Sequence, residues 1–175
     1  MERRSLLVTP LPGYVEEIGR WLWCLEDVRH TLIARLTGTS QSILDMKIDG
    51  RHTIGSLLYH IALIEADWLY VEVLGTEFDP DIRSLFPQEP RSGNNSLTHI
   101  EGESLEEHVH RLNTVREVFL SHFRSMDLAD WRKPRVLEHY EVTPEWVVYH
   151  LIEHESNHRG QIFQLLNQLQ NDPEV

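Results

Sequence analysis

The stretch Tyr149-His-Leu-Ile-Glu-His-Glu-Ser-Asn-His-Arg-Gly-Gln-Ile162 decides how this chain is interpreted. Its three histidines, His150, His154 and His158, follow one another at intervals of four residues. In an α-helix, residues four apart differ by about 40° in direction and about 6 Å in height, so the three imidazoles share one face. Two neighbouring rings can reach a common metal ion. The first and third rings, about 12 Å apart along the axis, cannot readily do so.

A third ligand is therefore expected from another helix, and His60 is the leading candidate. It lies between Leu57 and Ile64 in an apolar helical stretch, so its ring is expected to face the core, where it needs a polar partner. Three imidazoles leave one coordination position for water, as in catalytic zinc sites, and nickel or iron would also accept them. The sequence predicts one divalent metal ion held by His60, His154 and His158.

A zinc protease is a competing interpretation of the same stretch. The segment from His154 to His158 satisfies the pattern H-E-x-x-H, in which two ligands flank a glutamate base. The extended version of that pattern needs a histidine where this chain has Gln164, and the acidic residues that follow are only Asp172 and Glu174. The protease interpretation therefore lacks its third ligand.

A di-iron carboxylate bundle is another competing interpretation, because it uses two E-x-x-H pairs. Glu155 with His158 matches one pair, and Glu107 with His110 matches the other. The second pair falls off the apolar stripe of its helix and is expected to face solvent. The mononuclear site fits better. Two histidines on that stripe, at 108 and 122, are alternative ligands should His60 face away from the site.

Outside this stretch, apolar residues at intervals of three and four predict four long helices. They are expected at about 14–36, 53–75, 104–126 and 143–170. Thr53, Ser104 and Thr143 are the expected N-caps, and Pro144 suits a first helical turn. The connection 75–102 has three prolines and three glycines and predicts a long crossover. A small strand or hairpin is expected within 127–142. The prediction is an all-α four-helix bundle, with residues 1–175 forming one domain.

The amino-acid composition excludes some classes of binding partner. The chain has 175 residues, with 16 Lys and Arg against 28 Asp and Glu, and its formal charge of -12 argues against nucleic acid and anionic membranes. Cys24 is the single cysteine, so no intrachain disulfide can form, which favours the cytoplasm. Neither a signal peptide nor an apolar run of membrane-spanning length is expected.

The pattern His154-x-x-x-His158-Arg-Gly-Gln-Ile162, preceded by Trp146 and combined with a histidine in the second helix, resembles the DinB/YfiT-like superfamily of metal-binding four-helix bundles. The resemblance covers nearly the whole chain. It implies an up-down-down-up bundle whose histidines, 60, 154 and 158, bind zinc or nickel. Characterised members include thiol S-transferases, a thiol-dependent isomerase and proteins considered metal-dependent hydrolases, so the fold does not choose the reaction. Many relatives form dimers, which makes a homodimer reasonable.

The expected chemistry is activation of a water molecule or a thiol by the ion, with a small molecule, such as a low-molecular-weight thiol, as substrate. Asp67, His150 and Glu155 are the candidate catalytic residues. Each has a competing structural interpretation: Asp67 as a solvated acid, His150 as a hydrogen-bonded structural histidine, and Glu155 as a surface carboxylate. The competing function is a non-catalytic bundle in which the ion only ties two helices together.

Residues on the same helix faces as the ligands are expected to line or support the site: Thr53, Ser56, Ile64 and Asp67 around His60, and His150, Leu151 and Gln161 around His154. The tryptophans Trp21, Trp23, Trp68 and Trp146 are expected in the core or at its rim, where one could face an apolar substrate.

Overall fold

The apolar stripes generate the four long helices that the sequence predicts. The structure is a computed structural model and describes residues 6–48, 50, 52–88 and 97–171. The helices are α1 (Glu16–Leu36), α2 (Gln41–Asp45), α3 (Ile54–Asp67), α4 (Pro80–Ser84), α5 (Leu105–Phe123), α6 (Leu128–Trp131) and α7 (Pro144–Asn171). A π-helix, Trp68–Leu74, continues α3, and a hairpin pairs β1 (Arg135–Val136) with β2 (Glu141–Val142). The all-α prediction is confirmed.

The long helices begin and end where local chemistry predicts. The Thr53 side chain accepts a hydrogen bond from the backbone of Ser56 and caps α3. Ser104 and Glu107 form a capping box at the start of α5. The π-helix ends at Gly75, whose φ of 67° lies in the left-handed region that glycine tolerates. The predicted limits are therefore correct within a few residues.

The four long helices pack around one hydrophobic core. Helix α1 contacts α7 and α5, and α3 contacts the same two helices. The core is aliphatic for most of its length, and Phe119, Phe123 and Trp131 fill it at one end. None of the described helices combines the length and the apolar character that a membrane crossing requires. What matters for the site is that α3 and α7 lie side by side.

The structure corrects one expected core position and adds detail to the connections. His122 is only partly buried, and Phe123 takes the inner position that the helical pattern gave to residue 122. Helices α2 and α4 lie in segments expected to be irregular, and the expected hairpin within 127–142 is preceded by α6. The asparagines at 94 and 95, part of the predicted crossover, lie outside the described residues.

Candidate metal centre

Helices α3 and α7 bring together the three histidines that the sequence singles out. His60 comes from the middle of α3, and His154 and His158 come from successive turns of α7. The Nε2 atom of His154 lies 3.2 Å from Nε2 of His60 and 3.1 Å from Nε2 of His158. One ligand nitrogen from each ring falls within 4.8 Å of the other two. The three nitrogens therefore converge on a common point between the two helices.

This arrangement fits a divalent metal ion. In a tetrahedral zinc site with Zn–N bonds of about 2.0–2.1 Å, the nitrogens are about 3.3–3.4 Å apart. The two Nε2 separations at His154 are close to that value, at 3.2 and 3.1 Å. In the part of the chain that the structure describes, this is the one group of three or more metal-ligating side chains that converges in this way. The cluster could hold zinc, nickel or iron.

Burial keeps the imidazoles of His154 and His158 in the neutral form that binds metals. Desolvation, followed by the neighbouring His158 and His60, lowers the pKa of His154 to about 3. Desolvation also lowers the pKa of His158, although Gln161 opposes that effect. Neutral imidazoles carry the lone pair that a metal needs, whereas protonated ones would repel each other and the ion. At neutral pH the cluster is ready to bind a cation.

Gln161 sets the tautomer of His158. Its Oε1 atom lies 2.9 Å from Nδ1 of His158 and accepts a hydrogen bond from the protonated nitrogen. With the proton on Nδ1, the lone pair is on Nε2, the atom that faces His154. The predicted role of Gln161 in supporting the site therefore has a geometric basis. Thr53 and Ser56, expected beside His60, instead hydrogen-bond each other over 2.8 Å at the start of α3.

Two cavities lie beside the centre. One, of about 390 Å³, is partly polar and is lined by Gly50, His52, Leu57, Gln161, Gln164 and Leu165. The other, which we call the aromatic groove, has a volume of about 640 Å³ and is lined by Trp68, Pro134, Tyr140, Glu141, Val142, Thr143 and Trp146. The first cavity reaches Gln161, the partner of His158, and the aromatic groove reaches Trp68 and Trp146, which contact His150.

His150 joins the aromatic groove to the metal centre. Its ring stacks on Trp146, with centroids 4.9 Å apart and an interplanar angle of 9°, and lies 4.7 Å from the ring of Trp68. Its centroid is 6.1 Å from that of His154, one turn further along α7. Desolvation lowers the pKa of His150. His150 is therefore a neutral base at physiological pH, placed between the groove and the ligands.

The other candidate residues occupy different positions. Asp67 is exposed, and partial desolvation raises the pKa of its carboxyl group. His108 is buried near the start of α5, where its Nδ1 atom lies 3.4 Å from Glu103, and it does not join the cluster. Glu107 and His110 are exposed, as expected, so the second pair of a di-iron site is missing.

The interpretation of Glu155 as a surface carboxylate is wrong. Its side chain is 2% exposed, and its carboxylate accepts hydrogen bonds from Arg29 at 2.6 Å and from Arg116 at 3.0 Å. Both arginines also bond Glu65, at 2.7 Å and 2.6 Å. We call Arg29, Glu65, Arg116 and Glu155 the buried quartet. The carboxylate of Glu155 is thus held by guanidinium groups inside the bundle, whereas a zincin base reaches the metal site.

The sequence analysis did not predict the quartet, because arginine side chains on helices usually lie in solvent. Arg29 and Arg116 follow apolar residues of α1 and α5 at intervals that place them on the inner faces, for example Leu25 four residues before Arg29 and Leu112 four residues before Arg116. That spacing was an available signal, since a charge on an apolar stripe needs a buried partner.

Comparison with known proteins gives one finding. A sequence model of the DinB superfamily matches residues 25–162, a span that begins within α1, ends within α7 and contains all three histidines. No curated protein matches the chain.

Proposed function

The chain belongs to the DinB superfamily, and on that premise we propose that it is a metal-dependent enzyme that acts on a small molecule through His60, His154 and His158. The observation that carries the proposal is the convergence of three imidazole nitrogens from two helices. Three protein ligands leave a coordination position for water or substrate, which is how catalytic zinc sites differ from structural ones.

A divalent ion at this position would supply Lewis acidity, lowering the pKa of a water molecule or a thiol so that a nucleophile exists near neutral pH. The protein's own groups have separate tasks. Gln161 keeps the Nε2 lone pair of His158 directed at the centre. His150, neutral and beside His154, can accept a proton at a ring nitrogen from a substrate in the aromatic groove. Asp67 stays a weaker candidate for proton transfer, whereas Glu155 is no longer one, because Arg29 and Arg116 hold its carboxylate.

Two substrate classes fit this chemistry: molecules hydrolysed by an activated water, and low-molecular-weight thiols transferred to an electrophile. The two cavities beside the histidines support a small-molecule substrate, because each exceeds the volume of such a ligand. The homodimer and the cytoplasmic location remain predictions.

The first experiment measures bound metal per chain by elemental analysis. Wild-type protein is compared with His60→Ala and His154→Ala, and with His139→Ala as a control, because the side chain of His139 is 81% exposed. We expect close to one zinc, nickel or iron ion per chain in the wild type and the control, and loss in the other two variants. Metal retained in both variants, or absent from all four proteins, would contradict the proposal.

A second measurement separates the enzyme from the alternative, a non-catalytic bundle with a structural ion. In cobalt-substituted protein, the visible absorption spectrum reports changes in the ligands of the ion. An open position should take up a small thiol, such as 2-mercaptoethanol, or azide and change the spectrum, whereas a structural site closed by a fourth protein ligand should leave it unchanged.

A further inference from the structure

The residues that line the aromatic groove indicate the class of substrate. Its walls hold two tryptophans, Trp68 and Trp146, whose ring centroids are 5.3 Å apart at an angle of 48°. Trp146 is 44% exposed and Tyr140 is 47% exposed. These large rings therefore face solvent and not the hydrophobic core. Exposed, clustered aromatic rings are typical of surfaces that bind a ligand.

The charge around the groove is negative. Glu141 is the charged member of its described lining. Behind the wall, the hydroxyl of Tyr140 donates a hydrogen bond of 2.7 Å to Oε1 of Glu72, which is only 6% exposed. The Oε2 atom of Glu72 has no hydrogen-bond partner among the described residues. Asp67 adds to this field, because its charge contributes to raising the pKa values of both Glu72 and Tyr140.

No cationic group of the described lining offsets these carboxylates. Arg135, which lies in the hairpin next to Pro134 of the groove lining, donates to Asp130 at 3.0 Å and to the carbonyl of Val73. Burial is the main cause that raises the pKa of Glu72, in keeping with the absence of a hydrogen-bond partner for its Oε2 atom among the described residues. A positive ligand in the groove would compensate it, and a carboxylate ligand would be repelled.

We infer that the aromatic groove binds an organic ammonium group attached to an apolar body, so the substrate class of this enzyme is an amine. Aromatic faces attract cations through their quadrupole, and the carboxylates behind Tyr140 strengthen that attraction. This inference rests on the proposed function for its statement about substrate, although binding in the groove does not require the metal.

The position of His150 determines the orientation of the bound amine in the groove. Because its ring stacks on Trp146 and lies between the groove and His154, a ligand held by the tryptophans extends along α7 toward the histidine ligands. The cationic part is then anchored away from the metal, next to Tyr140 and Glu141, and the reactive part reaches His150. Repulsion between the ammonium group and a metal cation favours the same orientation.

The test compares three probes that share a phenyl ring and a short chain: 3-phenylpropylammonium, 3-phenylpropanol and 3-phenylpropionate. Binding to the wild-type protein is followed by nuclear magnetic resonance at the indole N–H groups, where Trp68 and Trp146 should shift and the fully buried Trp131 should not. We expect the ammonium to bind about 5- to 30-fold more tightly than the alcohol, and the carboxylate most weakly. Equal affinities, or a preference for the carboxylate, would overturn the inference.

Three variants locate the effect. Trp146→Ala should weaken binding of the ammonium by about tenfold, and Glu141→Gln should reduce its advantage over the alcohol by about threefold. Glu138→Gln is the matched control, because it removes the same charge from the same hairpin at a side chain that is 88% exposed and outside the groove lining. If Glu138→Gln reduces the preference as much as Glu141→Gln, general surface charge explains it and the groove does not.

The same titrations on metal-free His154→Ala protein separate this inference from the proposed function. Preference for the ammonium in His154→Ala protein would support the groove independently of the metal, and the same preference in a wild-type protein that binds no metal would contradict only the enzyme proposal. Stoichiometric metal in the wild type without any preference among the probes would contradict the groove and leave the metal centre standing.

Discussion

Gln161 shows how one uncharged residue orients a candidate metal ligand. Its carbonyl oxygen accepts the Nδ1 proton of His158 over 2.9 Å, which fixes both the tautomer and the orientation of the ring. Without that bond the imidazole could place its proton on Nε2, the atom that faces the other two histidines. A histidine ligand commonly depends on such an acceptor for its affinity.

We therefore expect Gln161→Leu to lower the affinity for zinc by about 10- to 100-fold while the protein stays folded. The measurement is competition with a coloured chelator of known affinity. Gln164→Leu is the control, because Gln164 lines the same cavity and is not the partner of His158. If both variants bind zinc as tightly as the wild type, the hydrogen bond to Gln161 has no role in holding the metal.

The convergence of the three histidines could be predicted because it depends on local geometry. The four-residue interval between His154 and His158 fixes their common face in any helix, and the apolar neighbours of His60 direct it inward. Glu155 could not be placed in that way. It lies about 100° around the helix from His154, and whether that side meets solvent or protein depends on which helices pack there.

At the scale of elements, the buried quartet joins all four long helices. Arg29 belongs to α1, Glu65 to α3, Arg116 to α5 and Glu155 to α7. Each carboxylate accepts hydrogen bonds from both arginines, at distances from 2.6 to 3.2 Å. Glu155 directly follows His154, so the quartet fixes the height of α7 relative to α3 next to the metal ligands. A shift of either helix would break several charged hydrogen bonds at once.

Glu155→Ala is expected to lower the free energy of unfolding by about 3–5 kcal/mol, because it removes a carboxylate that both buried arginines share and leaves Arg29 with Glu65 as its carboxylate partner among the described residues. Glu153→Ala, two residues earlier on the exposed face of α7, is expected to change it by less than about 0.5 kcal/mol. Urea denaturation of the metal-free proteins measures both. A small effect of Glu155→Ala would show that water enters and solvates the arginines.

The predicted helix boundaries agree with the structure where a long stripe of apolar residues begins at a capping residue, as in α5 with Ser104. The π-helix Trp68–Leu74 could not be predicted, because its residues have the same apolar pattern as an α-helix and only packing selects the wider turn. The short helices α2, α4 and α6 have 4 or 5 residues each, which is too few to show a period.

At the scale of the molecule, the quartet separates buried charge from surface charge. Its two arginines and two glutamates sum to zero, so the formal charge of -12 lies on the rest of the chain. Burial opposes the charged form of Glu65, but Arg116 and Arg29 outweigh it and lower its pKa below the ordinary 4.5. Folding therefore favours the ionised form of this carboxyl group.

This pKa shift predicts acid sensitivity. The stability that Glu65 contributes is fully present above pH 4.5 and is lost as the pH falls through the lowered pKa of the folded protein. We expect the free energy of unfolding to fall more steeply below pH 4.5 in the wild type than in Glu65→Gln, although the variant is less stable at neutral pH. Denaturant titrations at a series of pH values measure both slopes. Parallel profiles would mean that Glu65 titrates alike in both states.

The order of the helices along the chain also determines the order in which the buried quartet and the histidine cluster are assembled during synthesis. His60 and His154 are 94 positions apart, and Arg29 and Glu155 are 126 apart. During synthesis, α1, α3 and α5 emerge first. The two arginines of the quartet then share Glu65, Arg116 has Glu26 as a further partner, and one histidine of the three-histidine cluster is present. Arg29 then shares its carboxylate partner with Arg116, so water must solvate its guanidinium group until Glu155 arrives with α7. Helix α7 therefore closes the core and completes the three-histidine cluster in a single event, so metal uptake by the cluster would report that α7 has docked.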